Sequence, residues 1–273
     1  MRVLLAVNPN SRRGRRFGEA VREELRRLGI EAVVHHDDAP IDAIVAAGGD
    51  GTFVRQIARA LHMKVPMGLI PLGTFNDLAR TLGVPQDVAG ACAVIAGGRT
   101  RAVDVACVNN AFYVNEASIG ISSRIARLQT PENKQRFGAL AILATAFAAL
   151  RVWRPFHAEI AFDGRRERVR AVQLTVANSH RFGGVISVES AAIDDGRLDL
   201  YAVDIDTFGQ ALAVLGAILT GRAGPAAGLR TYRAASFEVS THRPHRITAD
   251  GEPAGKTPAR FELLPQALRI FVP

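Results

Sequence analysis

Apolar residues follow two different rhythms along the chain. In the first hundred positions, short apolar runs at 3–7, 32–34, 44–46 and 67–70 alternate with stretches of helical period. Residues 17–28 place Phe17, Val21, Leu25 and Leu28 on one face, with Gly29 as the stop. Residues 52–61 put Phe53, Val54, Ile57 and Leu61 on one stripe. Strands alternating with helices predict βαβ units and a parallel sheet. In such sheets ligands sit at the carboxyl ends of the strands, in the turns that lead into helices.

After about residue 105 the pattern changes. "AFYVNEASIG", "FHAEIAFDG", "RERVRAVQLTVAN", "GRLDLYAVD", "AASFEVST", "HRITADGE" and "ARFELL" read as β segments separated by Gly, Asp, Asn and Pro. Helical stretches at 135–153 and 207–219 interrupt them. The expectation is an α/β N-terminal domain with a Rossmann-like parallel sheet over residues 1–105. A mostly antiparallel β-sandwich or barrel domain follows over 106–264, and a last strand, 265–273, returns to the first domain.

Composition narrows the class. Hydrophobic residues make up 48% and charged residues 22% of 273 positions, the balance of a globular chain and not a disordered one. Cys92 and Cys107 lie in apolar surroundings without a partner motif, which predicts a reducing compartment and no zinc site. The run at 3–7 is too short for a signal peptide, and the longest apolar run, 139–150, is too short to span a bilayer. A cytoplasmic protein is expected. The net charge is +8, and Lys64, Lys134 and Lys256 are the only lysines, so the basic character comes from arginine. Such a surface attracts phosphorylated ligands or an anionic membrane. Aromatics at 6% leave few stacking platforms, and no DNA-reading motif is present, so no nucleic acid is expected.

The chemistry concentrates in turns. Gly48-Gly49-Asp50-Gly51-Thr52 follows a buried strand and opens a helix. Glycines there let backbone amides approach an anion, and Thr52 is placed to cap the helix. A carboxylate repels phosphate, so Asp50 needs a metal, a proton to accept, or a helix terminus to stabilise. No Walker-A pattern is present. "PLGTFNDLAR", residues 71–80, is a second turn of the same kind, with Gly73, Thr74, Asn76 and Asp77. "NPNSRRGR", 8–15, is a third, adding Asn8, Ser11 and arginines.

These motifs resemble the diacylglycerol kinase catalytic domain in its bacterial soluble lipid kinase branch, a domain shared with sphingosine and ceramide kinases. "VNEASIGIS", "KQRFGALAILATAFAAL", "ANSHRFGGVISVESAAIDDGRLDL" and "DGEPAGKTP" extend the likeness over nearly the whole chain in order. The resemblance implies an ATP-dependent lipid kinase that passes the γ-phosphate to a diacylglycerol-like hydroxyl in the cleft between two domains. It implies that Gly48, Gly49, Gly51 and Thr52, with Asn8, Gly73, Thr74 and Asn76 from the other turns, bind ATP. It makes Asp50 and Glu252 the catalytic carboxylates, Glu252 as general base on the lipid hydroxyl. It also implies Mg²⁺, with a structural site at Asp195 and at backbone carbonyls around Ala192 and Arg197. The partners implied are a lipid substrate and a transient contact with an anionic membrane surface, on the inner face of the membrane; a homodimer is left open.

The chain departs from the pattern in places. "VESAAIDDG" carries Glu189 and Ser190 where many relatives have a proline, and "GGVISV" lacks a common third glycine. By itself "DGE" reads as a β-turn with Asp250-Gly251 as its central pair. Asn115-Glu116 matches an "NE" motif of NAD kinase, the alternative reading, but the accompanying "TGSTAY"-like segment is missing. A non-catalytic basic module on the same fold is a third reading. His35-His36 cannot chelate one ion from a strand, because neighbours point to opposite faces. The apolar stretches 139–150 and 211–219 suit an acyl groove or plain core packing.

Overall fold

In a computed structural model of the chain, the residues described are 1–7, 12–34, 39–121, 154–179, 181–182, 186–187, 192–205, 207, 210 and 228–273. Strand β1 (Arg2–Val7), helix α1 (Arg12–Arg27), β2 (Glu31–Val33), β3 (Ala43–Gly48), α2 (Asp50–Met63) and β4 (Met67–Pro71) succeed one another in the predicted alternation. The four strands pair in parallel in the order β2-β1-β3-β4, with Leu4 opposite Ile44 and Ala46 opposite Leu69. Every residue of β3, "AIVAAG", is buried, as expected of a central parallel strand covered on both faces. Val21 and Leu25 of α1, and Phe53 and Ile57 of α2, are fully buried and fill that cover. Gly29, at φ 74°, takes the left-handed turn that ends α1.

Two short helices follow, α3 (Asp77–Thr81) and α4 (Val88–Gly97). No helical stripe marks α4 in the sequence, because "VAGACAVIAG" is small and apolar all round. Its ends are well marked: the Asp87 carboxylate accepts from the Gly90 amide at 2.8 Å, and Gly98 closes it at φ 71°.

The remaining strands are β5 (Thr100–Val108), β6 (Ala111–Tyr113), β7 (Glu116–Gly120), β8 (Phe156–Phe162), β9 (Arg165–Ala171) and β10 (Gln173–Ala177). After these come β11 (Arg181–Phe182), β12 (Ile186–Ser187), β13 (Leu198–Val203), β14 (Leu229–Ala234), β15 (Ser236–Thr241), β16 (Arg246–Ala249), β17 (Glu252–Lys256) and β18 (Ala259–Phe271). The last strand joins the two parts of the molecule. Near its end Ile270 pairs in parallel with Met67 of β4, while its first half pairs antiparallel with β15. Both halves run antiparallel to β5, with a break in register between Leu264 and Leu268. Gln266, at φ 48°, sits in that break, and its amide donates to the fully buried Asp104 at 2.7 Å. The outer Asp104 oxygen accepts from Gly196 at 2.8 Å, so one carboxylate holds the kink and a turn of the second sheet together.

That second sheet is antiparallel, in the order β14-β13-β10-β7-β16-β17. One hydrophobic core lies around β1, β3, β4, their helices and the end of β18. The other is filled from both sheets, by Tyr113, Phe237 and Phe261 on one side and Leu174, Leu200 and Ile247 on the other. The fold is thus a parallel α/β unit continued into an antiparallel sandwich, as the two rhythms predict. The helical stretches expected at 135–153 and 207–219 lie largely or wholly outside the described residues, as do Asn8, Ser11, His35, His36, Glu189 and Ser190. Among the described residues no helix is long and apolar enough to cross a membrane.

Candidate active site

The carboxyl ends of β3 and β4 are adjacent, so the turns that leave them meet. Gly49 and Gly73 are packed against each other: a Cβ on Gly73 would lie 2.5 Å from the Gly49 Cα. The Leu72 amide donates to the Gly48 carbonyl at 2.9 Å and fixes the pair of turns in register. Gly48 has a different reason, since a side chain there would collide with Thr52 Oγ1 at 2.3 Å.

Asp50 is the first residue of α2, yet its carboxylate serves the neighbouring turn. Its two oxygens accept from the backbone amides of Asp77 at 3.2 Å and Leu78 at 3.1 Å. Those amides open α3, whose N-cap Asn76 makes no capping bond of its own. The Asn76 side chain is turned inward, its Oδ1 accepting from Gly73 at 2.9 Å and its Nδ2 donating to Gln86 at 3.2 Å. Asp50 therefore caps α3 from another turn, its carboxylate set against the positive end of that helix. The cap of α2 itself differs from expectation. Gly49 is the N-cap and Thr52 lies buried inside the first turn, so no side chain caps α2. The Thr52 amide donates to the Gly49 carbonyl at 2.9 Å, so of the first-turn amides of this fourteen-residue helix those of Asp50 and Gly51 are left to meet an anion. Thr74, predicted beside them, is exposed.

The sandwich reaches this place through the turn between β16 and β17. Asp250 and Gly251 have φ of 45° and 83°, the left-handed pair of a two-residue hairpin, with Ala249 opposite Glu252. The Asp250 carboxylate accepts from the amides of Val114 at 2.8 Å, Asn115 at 3.1 Å and Glu116 at 2.9 Å. This clamp ties the hairpin to the "VNE" segment and aims Glu252 at α2. Glu252 Oε1 lies 3.1 Å from Arg55 Nη1, and only 3.2 Å from where a Cβ on Gly51 would sit. The two predicted catalytic carboxylates, Asp50 and Glu252, thus flank the same first turn of α2. Arg55 is a cation at this place that sequence reasoning missed; its place four residues after Gly51 on one helix was the available signal.

Burial and the nearby Asp250 and Asp77 charges push the Glu116 carboxyl up to about 8. Burial raises Asp250 as well, to about 7, against the pull of its three amide donors. Those donors favour the charged form of Asp250, so of the two carboxyls Glu116 holds its proton to the higher pH.

The residues expected to hold a structural metal are arranged otherwise. Ala192 and Arg197 present backbone amides to Asp195, at 3.1 and 2.9 Å, and the Arg233 guanidinium bonds the same carboxylate. Asp194 is held by Arg101 at 2.5 Å. A carboxylate already paired with an arginine and two amides does not fit a divalent-metal site. Among the described residues no group of three or more His, Cys, Asp or Glu side chains is placed to hold a metal ion.

A parallel sheet with two abutting glycine turns, met by a carboxylate from an antiparallel sandwich, defines a two-domain phosphate-handling α/β protein. Comparison with known proteins makes this specific. Residues 2–108 match the diacylglycerol kinase catalytic domain, and residues 115–272 match the YegS C-terminal NAD kinase beta sandwich-like domain. A diacylglycerol kinase of Staphylococcus epidermidis is 30% identical over 94% of this chain and 80% of its own length. A Klebsiella pneumoniae protein named "Probable lipid kinase YegS-like" is 32% identical over 94% of this chain and 83% of its own. An uncharacterized Synechocystis sp. protein is 30% identical over 84% of this chain, which spans 54% of that protein's length. A solved diacylglycerol kinase structure from Bacillus anthracis str. Sterne superposes with a TM-score of 0.79 at 26% identity, covering 100% of this chain and 97% of the other. The chain belongs to the diacylglycerol kinase family, with its YegS-like lipid kinases.

Proposed function

We propose that the chain is an ATP-dependent lipid kinase that transfers the γ-phosphate to the hydroxyl of diacylglycerol or a related lipid, at the junction of the α/β unit and the sandwich. The observation that carries this reading is the convergence of Asp50 and Glu252 on the first turn of α2, from 202 residues apart in sequence (252 minus 50). The open amides at that turn bind phosphate oxygens, with the glycines of both turns letting the nucleotide approach the backbone. Glu252, exposed and beside those amides, accepts the proton of the lipid hydroxyl as it attacks. Asp50 holds the second turn against the first and so fixes where the phosphates lie.

Magnesium, which kinases usually employ, supplies neutralisation of the phosphate charge. It is bound in such sites through one or two carboxylates together with the phosphates, and Asp50, whose oxygens each keep a lone pair beside their amide bonds, is the residue that would meet it. A lipid acceptor also fits a basic, arginine-rich chain, which an anionic membrane surface attracts.

The test is phosphoryl transfer from γ-labelled ATP into a total lipid extract presented in vesicles. Wild type should label a lipid, while Asp50→Asn and Glu252→Gln should lose about a hundredfold or more of the rate. Labelling of NAD in place of lipid would overturn the reading in favour of an NAD kinase. Vesicle binding without any phosphoryl transfer would favour a non-catalytic module.

A further inference from the structure

The turn at 194–196 joins the edge of the sandwich to β13, and it is crowded with charge. Asp194 and Asp195 stand side by side, and Asp199 follows on β13. Three carboxylates this close need cations, and the lipid-kinase resemblance implies a divalent ion there. Here the cations are arginines. Arg233 of β14 is the register partner of Asp199 across the antiparallel ladder, which fixes where its side chain starts. From there its Nη2 reaches Asp195 Oδ2, while its Nε lies 3.9 Å from Asp199 Oδ1. One guanidinium therefore bridges two of the carboxylates. The amides of Ala192 and Arg197 complete the Asp195 shell. Arg101 takes Asp194 in two bonds, at 2.9 and 2.5 Å.

A divalent ion at Asp195 would have to displace the Arg233 guanidinium or sit against its positive charge. Displacement costs the contacts of the guanidinium with Asp195 and Asp199, to which the ladder returns it by fixing its backbone opposite Asp199. Coexistence is opposed by repulsion at contact distance. Asp199 is itself almost wholly buried, so it needs the arginine that faces it.

We infer that Arg233, helped by Arg101, replaces the structural magnesium of this turn, so that the turn is held by a guanidinium of this chain's own and the sandwich folds without a metal at Asp195. The planar fork of arginine suits the exchange: it can bond two carboxylates at once and keeps its charge at every accessible pH.

Thermal unfolding without nucleotide tests this, in EDTA and in millimolar Mg²⁺. A metal site filled at a hundredfold its Kd would raise Tm by about 5–10 °C. Wild type should show no shift of that size. If it does, Asp195→Asn decides: a shift that survives the substitution comes from an ion elsewhere and leaves the inference standing, whereas a shift abolished by it overturns the inference. Arg233→Gln should unfold at lower temperature in EDTA and recover part of the loss in Mg²⁺, because two carboxylates then face each other without a cation. An unchanged Tm in Arg233→Gln would also overturn it. Should that variant fail to fold, the wild-type and Asp195→Asn pair remains decisive.

Discussion

Gly73→Ala puts a single methyl group into the contact that joins the two turns. Its Cβ would lie 2.5 Å from Gly49 Cα and 2.6 Å from Asn76 Oδ1, where carbons in contact settle at about 3.5–4 Å. Both obstacles belong to the turns themselves, one of them backbone, so relief requires the turns to part by about 1 Å. The Asp50 bonds to the amides of Asp77 and Leu78, now 3.2 and 3.1 Å, would stretch with them. At about 4 Å they no longer count as hydrogen bonds. Overpacking costs about 1–3 kcal/mol, and each amide bond to a carboxylate is worth about 1.5–3 kcal/mol. Parting the turns relieves the clash while breaking the bonds, so the two costs are not summed in full, and about 2–4 kcal/mol is expected. That corresponds to a fall in Tm of about 5–15 °C. Nucleotide affinity should drop tenfold or more, because a 1 Å displacement misplaces the amides that receive the phosphates. Near-ultraviolet circular dichroism on heating and calorimetric titration with ADP measure both. Gly97→Ala is the control: nothing lies within 4 Å of its Cβ, so it should hold Tm or raise it, by about 0.4–1 kcal/mol of stability. If Gly73→Ala melts with wild type and binds ADP equally well, the abutting glycines are not what aligns the site.

Other expectations follow from the same geometry. Glu252 and Arg55 are half-exposed, so their ion pair contributes about 1 kcal/mol or less, and Glu252→Gln should melt within a few degrees of wild type while losing lipid phosphorylation; parallel loss of stability and rate would contradict a role in chemistry. Glu116 is raised from 4.5 to about 8 in the fold. The native chain keeps a proton that the unfolded chain has lost, so stability falls as pH rises from about 4.5 to about 8 and then levels. Glu116→Gln keeps the neutral form at every pH, so its Tm advantage over wild type should widen between about pH 5 and pH 8.5, by on the order of a few kcal/mol of stability. An equal gap at both pH values would show that Glu116 is ionised in the native protein.

What could be read from the sequence was local. "GGDGT" and "GTFND" announce themselves because turns that need bare backbone must be written in glycine, and their order after β3 and β4 follows from the apolar rhythm. The hairpin at Asp250-Gly251 is legible for the same reason. Helix α4 is not, since a helix apolar on all sides has no stripe and only its caps, Asp87 and Gly98, reveal it. Side-chain partners across the fold were hidden too. Neither Asp250 clamping residues 114–116 nor Arg233 reaching Asp195 leaves a spacing rule in the chain, because sheet register decides both.

The same limit explains why an aspartate among phosphate-binding glycines looked contradictory. Charge alone says that Asp50 should repel the anion its neighbours attract. In the fold its two oxygens accept the Asp77 and Leu78 amides of α3, whose N-cap Asn76 makes no capping bond, and each oxygen keeps a lone pair beside that bond. Those amides carry the positive end of a second helix, so part of the carboxylate's charge is offset where it stands. The amides at the start of α2 keep their own positive end for the ligand. One residue thus joins the two turns and leaves the anion site intact. A lysine or arginine placed there could not do this, because it has no acceptor for the α3 amides. Asparagine could accept one amide but not two, which is why Asp50→Asn tests alignment as well as charge.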